Sequence, residues 1–383
     1  MRRLVTQVLL FTVVVGCRNA PAQGSAQQSP NPGNTRDAVR VETVATGLEH
    51  PWAFEPLPDG RFLVTERPGR LRIVNPDGTI SPPLPGVPRV AAVNQGGLLD
   101  VALDPAFASN SIIYLSFSEP GEGGTSTAVA RARLTATGLQ DVRVIYSQVP
   151  KVGSSGHFGS RIVFRRDGTM FVTQGDRQAN QFRGQAQELA SGIGKIVRIN
   201  SDGSVPRDNP FVGRAGARPE IWSYGHRNVQ AAALHPETGQ LWTVEHGARG
   251  GDELNHPEAG KNYGWPVITY GRDYGGGRIG EGTERAGMEQ PVYYWDPVIA
   301  PSGMTFYTGD VFPGWKGSIL VGGLASQALV RLTLRDGRVA SEERHLGELG
   351  QRIRDVKQGV DGLVYVITDA GTGKLLRLRP ASR

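Results

Sequence analysis

The sequence predicts an all-β fold, a six-bladed β-propeller with four-stranded antiparallel blades, and three observations carry that expectation. One pattern recurs six times along the chain: an alternating apolar run, a tight turn, then a second run rich in β-branched and aromatic residues. Glycine (52) and proline (26) make up about a fifth of the 383 residues, well above their usual share of about 12%. The same residues work against long helices, because inside a helix glycine costs about 1 kcal/mol and proline about 3 kcal/mol relative to alanine.

Taken in order, the chain opens with Arg2-Arg3 and an apolar stretch over 4–15, shorter than the roughly 20 residues of a membrane span. Residues 1–16 therefore read as an export signal rather than an anchor helix. The stretch ends Val14-Val15-Gly16-Cys17, which resembles a bacterial lipobox and implies lipidation of Cys17. No other cysteine is present, so no intramolecular disulfide can form. The expected location is the periplasm or cell envelope, with membrane attachment only through a lipid anchor at Cys17. Residues 18–38 contain no Val, Ile, Leu, Met or aromatic side chain, so 17–38 is expected to be a flexible tether. The propeller domain then runs over 39–383.

The first unit places Leu57-Pro58-Asp59-Gly60 before a run over 61–65, and the second Leu103-Asp104-Pro105 with Ser109-Asn110 before 112–117. Asp167-Gly168 precedes the run over 170–173, Thr238-Gly239 precedes 241–244, Gly317 precedes 318–321, and Asp361-Gly362 precedes 363–367. Aligning Phe62, Ile113, Phe171, Leu241, Ile319 and Val364 gives spacings of 45 to 78 residues. A four-stranded blade takes about 40–50, so the middle spacings carry extra loop. The run over 39–44 is expected to close the ring by adding an outer strand to the last blade. A pair of β-sandwiches would also supply many short strands, but not one recurring unit.

The net charge of +6 includes Arg2 and Arg3 of the leader. The remaining Lys and Arg are scattered rather than clustered, which argues against nucleic acid as a partner. Chemistry is expected in the loops that converge on the axis. The segment over 246–255, His-Gly-Ala-Arg-Gly-Gly-Asp-Glu-Leu-Asn, combines glycine turns with two adjacent carboxylates, a donor type that suits calcium, although not at EF-hand spacing. The seven histidines show no zinc-type pair spacing. His50, His235, His256 and His345 stand beside turn residues and read as surface positions. His157 lies in the small-residue loop Gly153-Ser154-Ser155-Gly156-His157-Phe158-Gly159-Ser160, where an imidazole can face a cavity as a general base. Arg352 and Arg354, two apart on an expected strand, project to one side as a pair of guanidiniums suited to carboxylate or phosphate.

Together Gln95-Gly96-Gly97-Leu98-Leu99-Asp100, Gly156-His157-Phe158-Gly159-Ser160-Arg161, Tyr224-Gly225-His226-Arg227-Asn228, Glu245-His246-Gly247, Gly251-Asp252-Glu253, Asn262-Tyr263-Gly264-Trp265-Pro266 and Arg352-Ile353-Arg354 resemble the glucose/sorbosone dehydrogenase family. Within it the chain is most similar to bacterial aldose sugar dehydrogenases that use pyrroloquinoline quinone (PQQ). The resemblance covers about 41–379. It implies oxidation of an aldose at C1 to the lactone, with hydride passing to calcium-bound PQQ and electrons then to an external acceptor. It assigns His157 the role of general base, and Gln95, Arg227, Asn228, Tyr274, Arg352 and Arg354 contact with the quinone. Gly247 and Ala248 would hold the quinone's Ca2+ through their carbonyls, while Glu253 and Tyr263 would hold a second, structural Ca2+.

Two positions depart from the family pattern. Relatives commonly carry a lysine in the fifth-blade segment that here reads Gly322-Gly323-Leu324-Ala325-Ser326, and some place a carboxylate before the catalytic histidine, where this chain has Gly156. The competing readings are a non-catalytic extracytoplasmic propeller serving as a binding module, which the missing lysine favours, and a calcium-dependent lactonase, whose axial carboxylate set these motifs do not assemble. The loop over 272–283 is where sugar preference is expected to reside.

Overall fold

The computed structural model describes residues 25–33 and 39–381; the stretch over 1–16 expected to be an export signal and Cys17 lie outside them. Six small sheets follow one another along the chain. The first blade comprises Pro51–Pro56, Phe62–Glu66 and Arg70–Val74, and the second runs from Leu98–Leu103 to Gly138–Ser147. The third runs from Ile162–Phe164 to Ile221–Tyr224, the fourth from Val229–Leu234 to Tyr293–Trp295, and the fifth from Pro301–Phe306 to Arg338–His345. The sixth holds Ile353–Gln358, Val364–Thr368 and Gly373–Pro380. Among the described residues no helix is long and apolar enough to cross a membrane.

The six aligned positions all fall in the second strand of their blades, and the repeated turn has a common cause. In three of the turns before second strands an aspartate carboxylate accepts the backbone N–H two residues on, Asp59 from Arg61 (3.1 Å), Asp167 from Thr169 (3.0 Å) and Asp361 from Leu363 (3.1 Å), and Asp77 (from Thr79, 3.0 Å) and Asp202 (from Ser204, 2.9 Å) do the same after third strands. The glycine between takes φ of 75° to 91°, which costs a residue without Cβ nothing. Five of the six second strands are buried throughout because blades stack face to face and leave no solvated side. The core accordingly lies between blades: Phe54, Phe62 and Tyr365 join the first to the sixth, and Leu98, Phe117 and Trp52 join the first to the second.

Closure follows expectation. Val39–Leu48 pairs antiparallel with Gly373–Pro380, from Val39↔Pro380 to Leu48↔Gly373, so the N-terminal strand belongs to the last blade. Glu42 then binds Arg377 (2.7 Å) and Arg379 (2.9 Å) across that seam.

Two expectations are corrected. The first blade has three strands rather than four. The segment after it rides alongside, with Ser81 N donating to Ile73 O (2.8 Å) and Leu84 N to Leu71 O (2.8 Å). Pro82, Pro83 and Pro85 supply no N–H, so the ladder cannot continue. The tether is also shorter than expected: Gln27–Gln28 pairs parallel with the outer strand of the fourth blade, Gln27↔Tyr293 and Gln28↔Tyr294. A polar segment needs no apolar area for this, because an edge strand offers unpaired backbone groups. Ser29 Oγ then donates to Glu342 Oε2 (2.5 Å), which also accepts from Tyr293 Oη (2.7 Å) and Trp295 Nε1 (3.1 Å). Ser29→Ala is expected to lower unfolding free energy by about 1–2 kcal/mol in a urea titration, the cost of one bond to a buried carboxylate.

Candidate active site

The connectors between blades and the turns after second strands gather at one end of the propeller. There Trp52, Arg67, Asn94, Gln95, Gln230, His246, Ala300, Leu324, Arg352, Arg354 and Asp369 line a cavity of about 290 Å³. Three of these are cations and one is an anion, so the hollow is net positive. Asp369 sits between the two arginines, its Oδ2 accepting from Arg354 Nη2 (2.8 Å) and from Arg352 Nη2 (3.0 Å) and Nε (3.1 Å). Burial would raise its pKa, but the two guanidiniums outweigh it and hold the group at about 2. Arg354 Nη1 donates to Gln230 Oε1 (3.0 Å), while the buried Nε of Arg354 and of Arg67 have no partner. Arg67 comes from the first blade, a third cation that the sequence motifs did not single out.

His157 stands behind this cavity rather than in its wall. Its backbone N donates to Gln95 Oε1 (2.9 Å), and Gln95 does line the hollow, so one side chain joins base and cavity. His157 is 4% exposed and takes φ of 47°. Its Nδ1 lies 2.6 Å from Asp176 Oδ1, and Asp176 is anchored in turn by Trp265 Nε1 (2.9 Å) and Gln178 N (2.8 Å). Burial pushes the Asp176 carboxyl up, but the hydrogen bond and charge of His157 and the charge of Arg227 prevail and keep it below its ordinary value. An ionised Asp176 only accepts, so Nδ1 carries the proton and Nε2, which makes no hydrogen bond among the described residues, presents its lone pair. Burial is the largest influence on His157 and lowers its pKa against the opposing effect of Asp176.

The orienting carboxylate thus comes from the third blade, 19 residues downstream, and a Cβ on Gly156 would lie 1.9 Å from Gln178 Oε1, so a side chain there would require that glutamine to swing away. Arg177 closes the same turn, its guanidinium carbon 3.6 Å from the Phe158 ring centroid and its Nη2 2.6 Å from Ser154 O. Asp176 and Arg177 were missed because nothing in Gln174-Gly175-Asp176-Arg177 marks a turn that returns to another blade.

Arg227 and Asn228 flank the base. Asn228 Oδ1 accepts from Gly159 N (3.1 Å). The Arg227 guanidinium lies 5.2 Å over Trp265, donates to the carbonyls of His246 (3.1 Å) and Gly247, and meets Tyr274 Oη at 3.4 Å. Tyr274 itself is 66% exposed at the rim. His246 Nε2 donates to Pro301 O (2.6 Å), and burial pushes that imidazole's pKa down to about 3.

The glycine loop behaves otherwise than its composition suggests. Asp252 and Glu253 are neighbours on a strand, Asp252–Asn255, and so face opposite sides. Asp252 binds backbone, accepting from Gly247 N (2.8 Å), Ile299 N (2.8 Å) and Ala300 N (2.7 Å). The Gly247 carbonyl receives Arg227, which leaves it one further lone pair for a cation. Glu253 instead pairs across the sheet with Glu245, and burial, followed by the Glu245 charge, pushes its carboxyl up to about 8. Asn255 donates to both acids (3.0 and 3.1 Å), and its buried Oδ1 has no partner. Among the described residues no three or more His, Cys, Asp or Glu converge on one point. Tyr263 Oη is committed to His256 O (2.7 Å), which leaves only its carbonyl for a ligand. His345, expected at the surface, is 2% exposed and packs 5.0 Å from Trp315.

Comparison with known proteins agrees with this architecture. The glucose/sorbosone dehydrogenase family model matches residues 48–377. The chain is 45% identical over 348 residues to the aldose sugar dehydrogenase YliI of Escherichia coli K12, covering 89% of this chain and 93% of that protein. The crystal structure of the soluble E. coli aldose sugar dehydrogenase in its apo-form superposes with a TM-score of 0.87 at 44% identity, over 90% of this chain and 100% of that one. The PQQ-bound aldose sugar dehydrogenase of Streptomyces coelicolor superposes with a TM-score of 0.72 at 29% identity, over 90% and 98%. With the matched model spanning most of the propeller and a relative this similar along nearly its full length, the chain belongs to the glucose/sorbosone dehydrogenase family.

Proposed function

We propose that this protein is a sugar dehydrogenase that oxidises aldoses at C1 to the lactone, using pyrroloquinoline quinone, with His157 as general base. The carrying observation is a buried imidazole oriented by an ionised carboxylate beside a cavity rich in arginine. A relative and a superposable structure bear the names of a quinoprotein glucose dehydrogenase and a PQQ-bound aldose sugar dehydrogenase.

The residues present fit the quinone. It is a tricarboxylate, and the cavity offers Arg67, Arg352 and Arg354, two of them with an unpartnered buried Nε. Charge-assisted bonds from guanidinium to carboxylate are among the strongest available. Arg67 also makes up for the absent fifth-blade lysine, because the cation arrives from another blade. When bound, the quinone supplies a site that accepts two electrons as hydride. His157 Nε2 takes the proton of the C1 hydroxyl, Asp176 holds the ring and stabilises the imidazolium, and the depressed pKa keeps the base neutral at pH 7. Gln95, Arg227, Asn228 and Tyr274 set the walls and rim. For calcium, Glu245, Glu253 and the Oδ1 of Asn255 gather hard oxygen donors at one place, and the Gly247 carbonyl keeps one lone pair beside its bond from Arg227. Export, lipidation at Cys17 and reoxidation by an external acceptor complete the reading.

The test is an absorption titration of the protein with PQQ and Ca2+, followed by dye reduction with an aldose. Absence of both quinone binding and sugar oxidation would reject the proposal. Asp176→Asn should lower kcat by about 10²-fold, the scale of a misplaced catalytic group. The pH dependence gives the sign: Asp176 raises the His157 pKa, so its loss moves the acidic limb of kcat/KM to lower pH while the plateau falls. A limb that stays in place would exclude this role.

A further inference from the structure

We infer that the exposed rim beside Arg227 is a docking face for an electron-accepting protein that presents carboxylates. The inference rests on the dehydrogenase reading, since only such an enzyme must pass electrons outward.

Three arginines stand side by side there. Arg249 and Arg272 exchange both backbone hydrogen bonds (2.9 Å each), and Arg272 forms a further antiparallel bridge with Arg278. Directly opposed residues of an antiparallel ladder share one face, with Cβ atoms about 4.5–5.5 Å apart. The row is therefore about 10 Å long over its two steps, wider than a small anion. All three residues are exposed. Among the described residues none of them forms an ion pair: Asp273 is taken by Arg183 (3.6 Å), Glu281 by Arg285 (3.0 Å), and Asp296 beside Gly250 reaches none of them. Like charges placed opposite one another destabilise a ladder. Nothing among the described residues offsets that cost, whereas an acidic partner would.

The position of the row also matters. Arg272 and Arg278 bracket the loop tip that carries Tyr274, whose hydroxyl lies 3.4 Å from Arg227 Nη2. Arg227 covers Trp265, and Trp265 binds the carboxylate that holds His157. A protein seated on the row would thus lie against the mouth of the reaction site. The exchange balances with one two-electron acceptor or two one-electron acceptors per sugar, and two protons pass to solvent.

The experiment uses Arg249→Gln/Arg272→Gln/Arg278→Gln beside the unchanged protein, with an acidic haem-containing electron carrier, ferricyanide and neutral benzoquinone as acceptors. At low salt the variant should bind the carrier about 10-fold more weakly in calorimetry and lose about 10-fold in kcat/KM toward it, both differences vanishing near 1 M salt as screening takes over. Arg249→Gln alone, which lies outside the 272–283 loop, should weaken carrier binding in the same direction and leave benzoquinone kinetics and the KM for sugar unchanged. Carrier binding equal in the triple variant and the unchanged protein, an effect confined to ferricyanide, or a raised KM for sugar in Arg249→Gln would overturn the docking face. If the unchanged protein, titrated with PQQ and Ca2+, reduced none of the three acceptors, the dehydrogenase reading itself would fall and the inference with it.

Discussion

Replacing His157 with alanine is expected to lower aldose turnover by about 10²–10⁴-fold, the range for losing a positioned general base, while PQQ binding measured by absorption stays within a few-fold of the parent. The two readouts separate because the groups do. Arg67, Arg352 and Arg354 line the cavity and His157 does not, so the substitution leaves the carboxylate-binding surface in place. It does remove the partner of Asp176, but that carboxylate keeps Trp265 Nε1 and Gln178 N. Collapse of quinone binding together with normal residual turnover would show that the imidazole is part of the cofactor cradle and not the base.

Arg161→Met is expected to destabilise the fold by about 3–5 kcal/mol, the cost of leaving buried charges without their partner. Arg161 Nη1 lies 2.8 Å from Asp100 and its Nη2 3.1 Å from Asp355, all three side chains being at most 5% exposed. These residues come from the inner strands of the second and sixth blades and the start of the third, so the cluster ties blades together around the axis. Its Nε also donates to Gln230 O (2.9 Å), next to the cavity. A pH signature distinguishes loss of charge from loss of packing. Burial already raises the Asp100 pKa against the pull of Arg161, and without the guanidinium it rises further. A group with a folded pKa above its unfolded value binds more protons when folded, so stability improves as pH falls. The deficit of the variant in urea should therefore shrink from about pH 8 to about pH 5, and a pH-independent deficit would contradict the account.

Much of the architecture was legible because it rests on short-range chemistry. The Asp-Gly turns declare themselves within four residues, through an aspartate that satisfies an N–H two positions on and a glycine free to take positive φ. The strand after each turn is apolar on both faces because blades stack on each other. The closing strand was legible as an alternating run, Val39-Arg40-Val41-Glu42-Thr43-Val44, left over at the N-terminus of the domain. The tether was misjudged over Gln27–Ser29, because backbone pairing to an edge leaves no apolar trace in the sequence. The first blade lost its fourth strand to prolines whose effect depends on which edge they meet.

By itself, the sequence determined the ring of six repeats, its closure, and the pair of guanidiniums that lines the axial cavity, and it singled out the imidazole that lies behind that cavity, since each depends on local pattern or on motifs contiguous in the chain. Only the tertiary structure decided the partners of those groups. Asp176 on His157 and Asp369 between Arg352 and Arg354 join segments at the ends of neighbouring strands, while Arg67 as the third cation and Arg161 between two acids join different blades. Burial of a charge specifies that a counter-charge must be near, but not which blade supplies it. That choice is made by the circular arrangement, which brings every inner strand to one axis whatever its distance along the chain.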